Sequence, residues 1–206
     1  MNFQPHNLYH IYNQGNNQQT IFYVEEDYLA FMRLARRDLL PFTEIIAWCL
    51  MPNHFHFMTY ADERCLKMIK QGGIYIDPIT NGIRKLLSSY AKVFNNRYQR
   101  TGSIFRQKTK SKNLTDIPVV EKGKPQLKAE EYHSACFHYI HQNPLRAGLV
   151  KKMEEWNYSS FKDYAGLRQG TLCNKELATR LGLFNPETFI RDSYDQLPER
   201  IVSYLK

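Results

Sequence analysis

The chain predicts an α+β domain: an antiparallel sheet with helices packed on one face, closed in a ferredoxin-like arrangement and followed by a helical C-terminal extension. Two-residue alternation from Leu8 to Asn13 and from His54 to Tyr60, with a β-former-rich run from Phe42 to Leu50, gives the strands. Apolar residues at helical spacing over Glu25–Leu40, Ile83–Tyr98 and Lys128–Gln142 give the helices. Their order is strand, helix, strand, strand, helix, strand, helix, and a ferredoxin-like sheet is its natural closure.

Each element has a local cause. The first strand ends in Asn13-Gln14-Gly15-Asn16-Asn17, a turn by composition. The first helix carries acids at its front and arginines near its back, as the helix dipole favours. Pro52-Asn53 breaks the next run, so the strands on either side of it should pair antiparallel. Leu66–Ile69 reads as the start of a helix, and Gly72–Gly82 as turn-rich chain. Thr101-Gly102 ends the second long helix, and Ile104-Phe105 is the expected fourth strand. Ile117–Gln126, with Pro118, Gly123 and Pro125, reads as a loop. Asn143-Pro144 should stop the third helix and begin another, with Asn as cap and Pro in the first turn. From about Thr171 the chain reads as short helices at Lys175–Leu181, Pro186–Tyr194 and Pro198–Leu205. The boundary expected is a main domain over 1–170 and a helical extension over 171–206.

At 206 residues and 43% hydrophobic content the chain can bury a core. No apolar run approaches the length of a membrane span, and the N-terminus lacks the basic-then-apolar pattern of a secretory signal, so a cytoplasmic protein is expected. Cys49, Cys65, Cys136 and Cys173 form no Cys-x-x-Cys pair and are read as free thiols.

The net charge of +8 is unevenly spread. No acidic residue lies between Asp77 and Asp116, while nine lysines and arginines do, among them Arg97, Arg100, Arg106, Lys108 and Lys110. Tyr90, Phe94, Tyr98 and Phe105 are interleaved. Such a run can neutralise phosphates while its rings stack on bases; it can equally be a solvated face whose aromatics belong to the core.

Two groups could carry chemistry. His54 and His56 are two apart in a strand, so both imidazoles project from one face and can share a divalent ion. Tyr139 lies in a helix with Asn143 four residues on, on the same face. A phenol and an amide oxygen so placed could serve as nucleophile and third metal ligand, with Gln142 as the fallback donor. Packing is the competing role for Tyr139, one of 14 tyrosines, and helix capping for Asn143.

Seven blocks appear in order: Tyr9-His10-Ile11-Tyr12-Asn13; Glu26-Asp27-Tyr28; Cys49-Leu50-Met51-Pro52-Asn53-His54-Phe55-His56; Tyr90-Ala91 with Phe94-Asn95; Gly102-Ser103-Ile104-Phe105-Arg106-Gln107; Tyr139-Ile140 with Asn143-Pro144-Leu145-Arg146-Ala147-Gly148-Leu149-Val150; and Tyr158-Ser159-Ser160. Over about residues 8 to 165 the chain resembles the REP-associated tyrosine transposases, a branch of the single-tyrosine HUH transposases. The resemblance implies a ferredoxin-like fold with the histidine pair on a central strand. It implies a divalent ion, Mg or Mn, on His54, His56 and Asn143, with Tyr139 as the nucleophile. It further implies single-stranded or hairpin DNA as substrate, cut to leave a 3′-OH and a 5′-phosphotyrosine link, by a monomer or homodimer. The alternatives are a domesticated DNA-binding protein that does not cut, and a metal hydrolase of another phosphate ester. Cys65–Gly82, Asn113–Gln126 and the chain from Thr171 depart from the family pattern.

Overall fold

The structure is a computed structural model that describes residues 1–115 and 129–205. The expected loop at Ile117–Gln126 and the first residue of the expected third helix, Lys128, lie outside the described residues. In chain order the elements are β1 (Asn7–Gln14), α1 (Glu25–Asp38), β2 (Glu44–Met51), β3 (His54–Ala61), β4 (Ile69–Gln71), β5 (Ile74–Ile76), α2 (Pro78–Arg97), β6 (Lys110–Asn113), α3 (Ala129–Arg146), α4 (Phe161–Tyr164), α5 (Lys175–Arg180), α6 (Phe189–Tyr194) and α7 (Glu199–Leu205). Four strands form an antiparallel sheet in the order β2-β3-β1-β6, which is the ferredoxin-like order. β3, carrying the histidine pair, is central.

The pleat divides β3 between two layers. Phe55 and Phe57 enter a core with Phe31 of α1 and Tyr90 of α2. Met58, on the opposite face with His54 and His56, enters a second core with Tyr132, Cys136 and Ile140 of α3. Helices therefore cover both faces, where cover on one was expected. The cause is written in β2, whose Ile45–Met51 run is buried at every position and cannot leave one face to water. The C-terminal helices join the second core through Leu177, Phe189, Ile201, Val202 and Leu205. All four cysteines are free, and three are fully buried.

Four local expectations are corrected. Leu66–Ile69 does not open a helix: Glu63–Leu66 is a single 3-10 turn capped by Asp62, and β4 and β5 follow as a hairpin. Gly72 and Gly73 turn that hairpin at φ of 56° and 86°. α2 begins five residues earlier than expected, because Asp77 accepts from the Thr80 amide (2.7 Å) and Pro78 occupies the first turn. Gly82 lies inside α2, where a Cβ would stand 2.3 Å from the Asp38 carbonyl oxygen; the two helices meet at that close approach.

The fourth strand is Lys110–Asn113 rather than Ile104-Phe105, which is buried and makes one bridge, from Phe105 to Gly15. Lys-Ser-Lys-Asn has no apolar alternation, and only pairing with β1 defines it. Finally, α3 does not stop at Asn143-Pro144 but runs on to Arg146. Its end is a glycine cap: Gly148 takes φ 69°, its amide donates to Leu145 (3.0 Å), and that of Leu149 donates to Pro144 (3.0 Å).

Candidate active site

β1, β3, the chain before β6, and α3 meet at one cavity of about 380 Å³. β3 contributes His54 and His56, and β1 contributes Tyr12, Asn13 and Gln14. Arg106, Lys108 and Lys110 form its cationic rim, and α3 contributes Tyr139. The basic segment is held by β1: the Arg106 amide donates to the Gln14 carbonyl (2.9 Å), and Asn13 donates to Thr109 Oγ1 (2.9 Å) and to the Arg106 carbonyl (3.1 Å). The three cations are exposed, and none pairs with a carboxylate among the described residues.

The two imidazoles stand at 89°, with ring centres 5.0 Å apart. Burial pushes His54 down to about 4. Burial, then His10, His54 and Lys112, hold His56 well below its ordinary value. Both rings are therefore neutral near pH 7, as metal ligands must be. The proton on His54 is located by its neighbour. Asn53 Oδ1 lies 2.6 Å from His54 Nδ1, while the Asn53 amide nitrogen donates to the Gln18 carbonyl (3.2 Å). Asn53 thus presents an acceptor, His54 donates from Nδ1, and the lone pair is left on Nε2.

His56 Nε2 is buried and has no hydrogen-bond partner among the described residues. An orphaned ring nitrogen beside a cavity fits a metal ligand, since a bound ion would satisfy it. Among the described residues no group of three His, Cys, Asp or Glu side chains converges to hold an ion. Water, phosphate or an amide would therefore have to complete any coordination shell built on the pair.

Tyr139 stands edge-on to His56 and His10, at 5.9 Å and 6.2 Å between ring centres. Burial, more than any neighbouring charge, pushes its phenol up to about 12, so it is protonated near pH 7.

Other expected residues lie elsewhere. Asn143 does not line the cavity; its amide nitrogen donates to the Tyr139 carbonyl (2.8 Å). Gln142 faces the tail, donating to the Ser193 and Asp195 carbonyls, each at 2.9 Å. Arg97 pairs with buried Asp27 (2.9 Å), and Arg100 bonds Gln19 and lies over the Phe94 ring. Tyr158, in the last of the seven motif blocks, stacks on Tyr28 with ring centres 3.6 Å apart and does not line the cavity. His10, Tyr12 and Asn53 stand in the motif blocks, but the sequence assigns none of them a role in the site. His10 and Tyr12 share a strand face by two-residue spacing, and only the pairing of β1 with β3 shows that this is the histidine face.

No protein-family model matches the chain, and no curated protein matches it. Among solved structures, the chain is similar to a REP-associated tyrosine transposase bound to a REP hairpin. The match covers 89% of this chain and 86% of that one, at 17% identity and a TM-score of 0.49. At such an identity residue roles do not transfer, and the functional reading rests on this chain's own side chains.

Proposed function

We propose that the protein binds single-stranded or hairpin DNA and cleaves one strand by transesterification, with Tyr139 as nucleophile. The observation that carries this is the convergence, in one cavity, of a neutral histidine pair, a phenol and three cations that pair with no carboxylate among the described residues. The cations would neutralise backbone phosphates and bring one to the cavity. The Tyr139 oxygen forms a bond to phosphorus as the bond from phosphorus to the 3′-oxygen breaks. The phenolic proton is lost to solvent, and the departing 3′-oxygen gains one. The products are a 3′-OH and a 5′-phosphotyrosine, and the phosphodiester's energy is conserved for rejoining.

A phenol pushed up to about 12 needs help to lose its proton. His54 and His56 would hold a divalent ion, Mg or Mn, and when bound it supplies positive charge that stabilises a phenolate and the phosphoryl oxygens. Asn53 orients the His54 lone pair for that role. Asn143, one turn from Tyr139, is the proposed third donor, and it would have to turn from its bond to the Tyr139 carbonyl to act.

Arg97 and Arg100 are proposed only as outer DNA contacts, since both already have protein partners. A protein that only bound DNA would need neither the histidine pair nor the phenol. The test is nicking of a 5′-labelled hairpin oligonucleotide with manganese, with EDTA, and in His54→Ala and His56→Ala variants. Loss of nicking with retained DNA binding is the expected result. Full nicking by the double variant in EDTA would overturn the metal reading.

A further inference from the structure

We propose that His10 is a positioning residue for this site: it accepts the Nδ1 proton of His56 and so leaves the His56 Nε2 lone pair facing the cavity. The inference rests on the metal reading above and assigns a role to a residue that does not itself line the cavity.

His10 lies on β1 opposite Met58, so it neighbours His56 diagonally on the same sheet face. Its Nε2 is 2.8 Å from His56 Nδ1. The rings are 18° from parallel with centres 5.0 Å apart, too far for face stacking at van der Waals contact and suited to an end-to-end hydrogen bond. Two neutral imidazoles carry two ring protons. One occupies the shared bond, so the other sits on His10 Nδ1 or on His56 Nε2. Only the first arrangement gives His56 a free lone pair on the cavity side.

His10 is fully buried, and its Nδ1 has no hydrogen-bond partner among the described residues. Its bond to His56 is therefore the polar contact that offsets burial of the ring. Asn53 holds His54 in the equivalent tautomer from the other side, so the two residues would deliver two Nε2 lone pairs to one cavity.

Two measurements test this. Nitrogen-15 NMR of the metal-free protein should find the His56 proton on Nδ1; a proton on Nε2 overturns the proposal. Calorimetric titration with Mn²⁺ should find His10→Phe weaker by roughly 10- to 100-fold and His10→Gln within about threefold of wild type, because the Gln carbonyl can accept the same proton. Equal affinity of His10→Phe and wild type, or equal weakening in both variants, overturns it. Thermal melts check folding, and if His10→Phe does not fold, the NMR result and His10→Gln decide. Wild type that binds no Mn²⁺ while its His56 proton is on Nδ1 would sink the metal reading and leave the His10–His56 assignment standing.

Discussion

Replacing Arg106, Lys108 and Lys110 together by alanine should flatten the salt dependence of DNA binding. These three cations rim the cavity, are exposed, and have no carboxylate partner among the described residues, so each is free to meet a phosphate. Each phosphate contact on a single strand contributes about 0.7 to the slope of log affinity against log salt, so three contribute about 2. From about 50 to about 200 mM salt, wild type should then lose roughly 20-fold more affinity than the variant. Fluorescence anisotropy of a labelled hairpin oligonucleotide in EDTA, at stepped KCl, measures this without cleavage. Arg97→Ala is the internal control: as an outer contact whose charge Asp27 already matches, it should change the slope by clearly less than one rim cation does. An unchanged slope in the triple variant would place the DNA surface elsewhere, and a larger effect in Arg97→Ala would refute the reasoning from ion pairing.

Two further outcomes follow from buried groups. Burial holds His10 at about 3 and His54 at about 4, below the unfolded value of 6.5. The unfolded chain therefore takes up protons first, so stability is complete above pH 6.5 and falls as pH drops towards 4. Each histidine removes roughly 1.4 kcal/mol per pH unit in that window. Urea melts of the metal-free protein at pH 7 and pH 5.5 should show the loss, and equal stability at both would contradict these burial effects. Asn143→Ala removes the bond to the Tyr139 carbonyl and should cost about 1 kcal/mol by thermal melt. If Asn143 also serves as the third donor, the variant will need more manganese for half-maximal nicking; an unchanged requirement restricts it to the helix.

Much of this was legible in the sequence because it depends on short-range periodicity. Two-residue spacing puts His54 and His56 on one face, and the structure keeps them there with Phe55 and Phe57 opposite. The acid-free run contained the rim cations, but sequence could not separate Arg106, which faces the cavity, from Arg97, which serves Asp27. That difference is made by contacts across 70 residues, from α2 to α1. β6 was missed for a similar reason: Lys-Ser-Lys-Asn becomes a strand only beside β1. Asn143-Pro144 reads in the sequence as the end of one helix and the start of another, with Asn as cap and Pro in the first turn. In the structure Pro144 sits in the last turn of α3, and the glycine cap closes the helix two residues after Arg146. The second helical layer was visible in principle, since β2 is apolar at nearly every position rather than at alternate ones.

The central claim is that Tyr139 attacks phosphorus. Wild type and Tyr139→Phe are incubated with labelled hairpin DNA and manganese, and any covalent adduct is digested and mapped by mass spectrometry. Tyr12 is the informative competitor, since its ring also lines the cavity. Wild type should yield a phosphotyrosine peptide containing Tyr139. Tyr139→Phe should yield no adduct, with hairpin binding retained because the ring and the cationic rim are intact. An adduct on Tyr12, or an undiminished adduct in Tyr139→Phe, would contradict the claim.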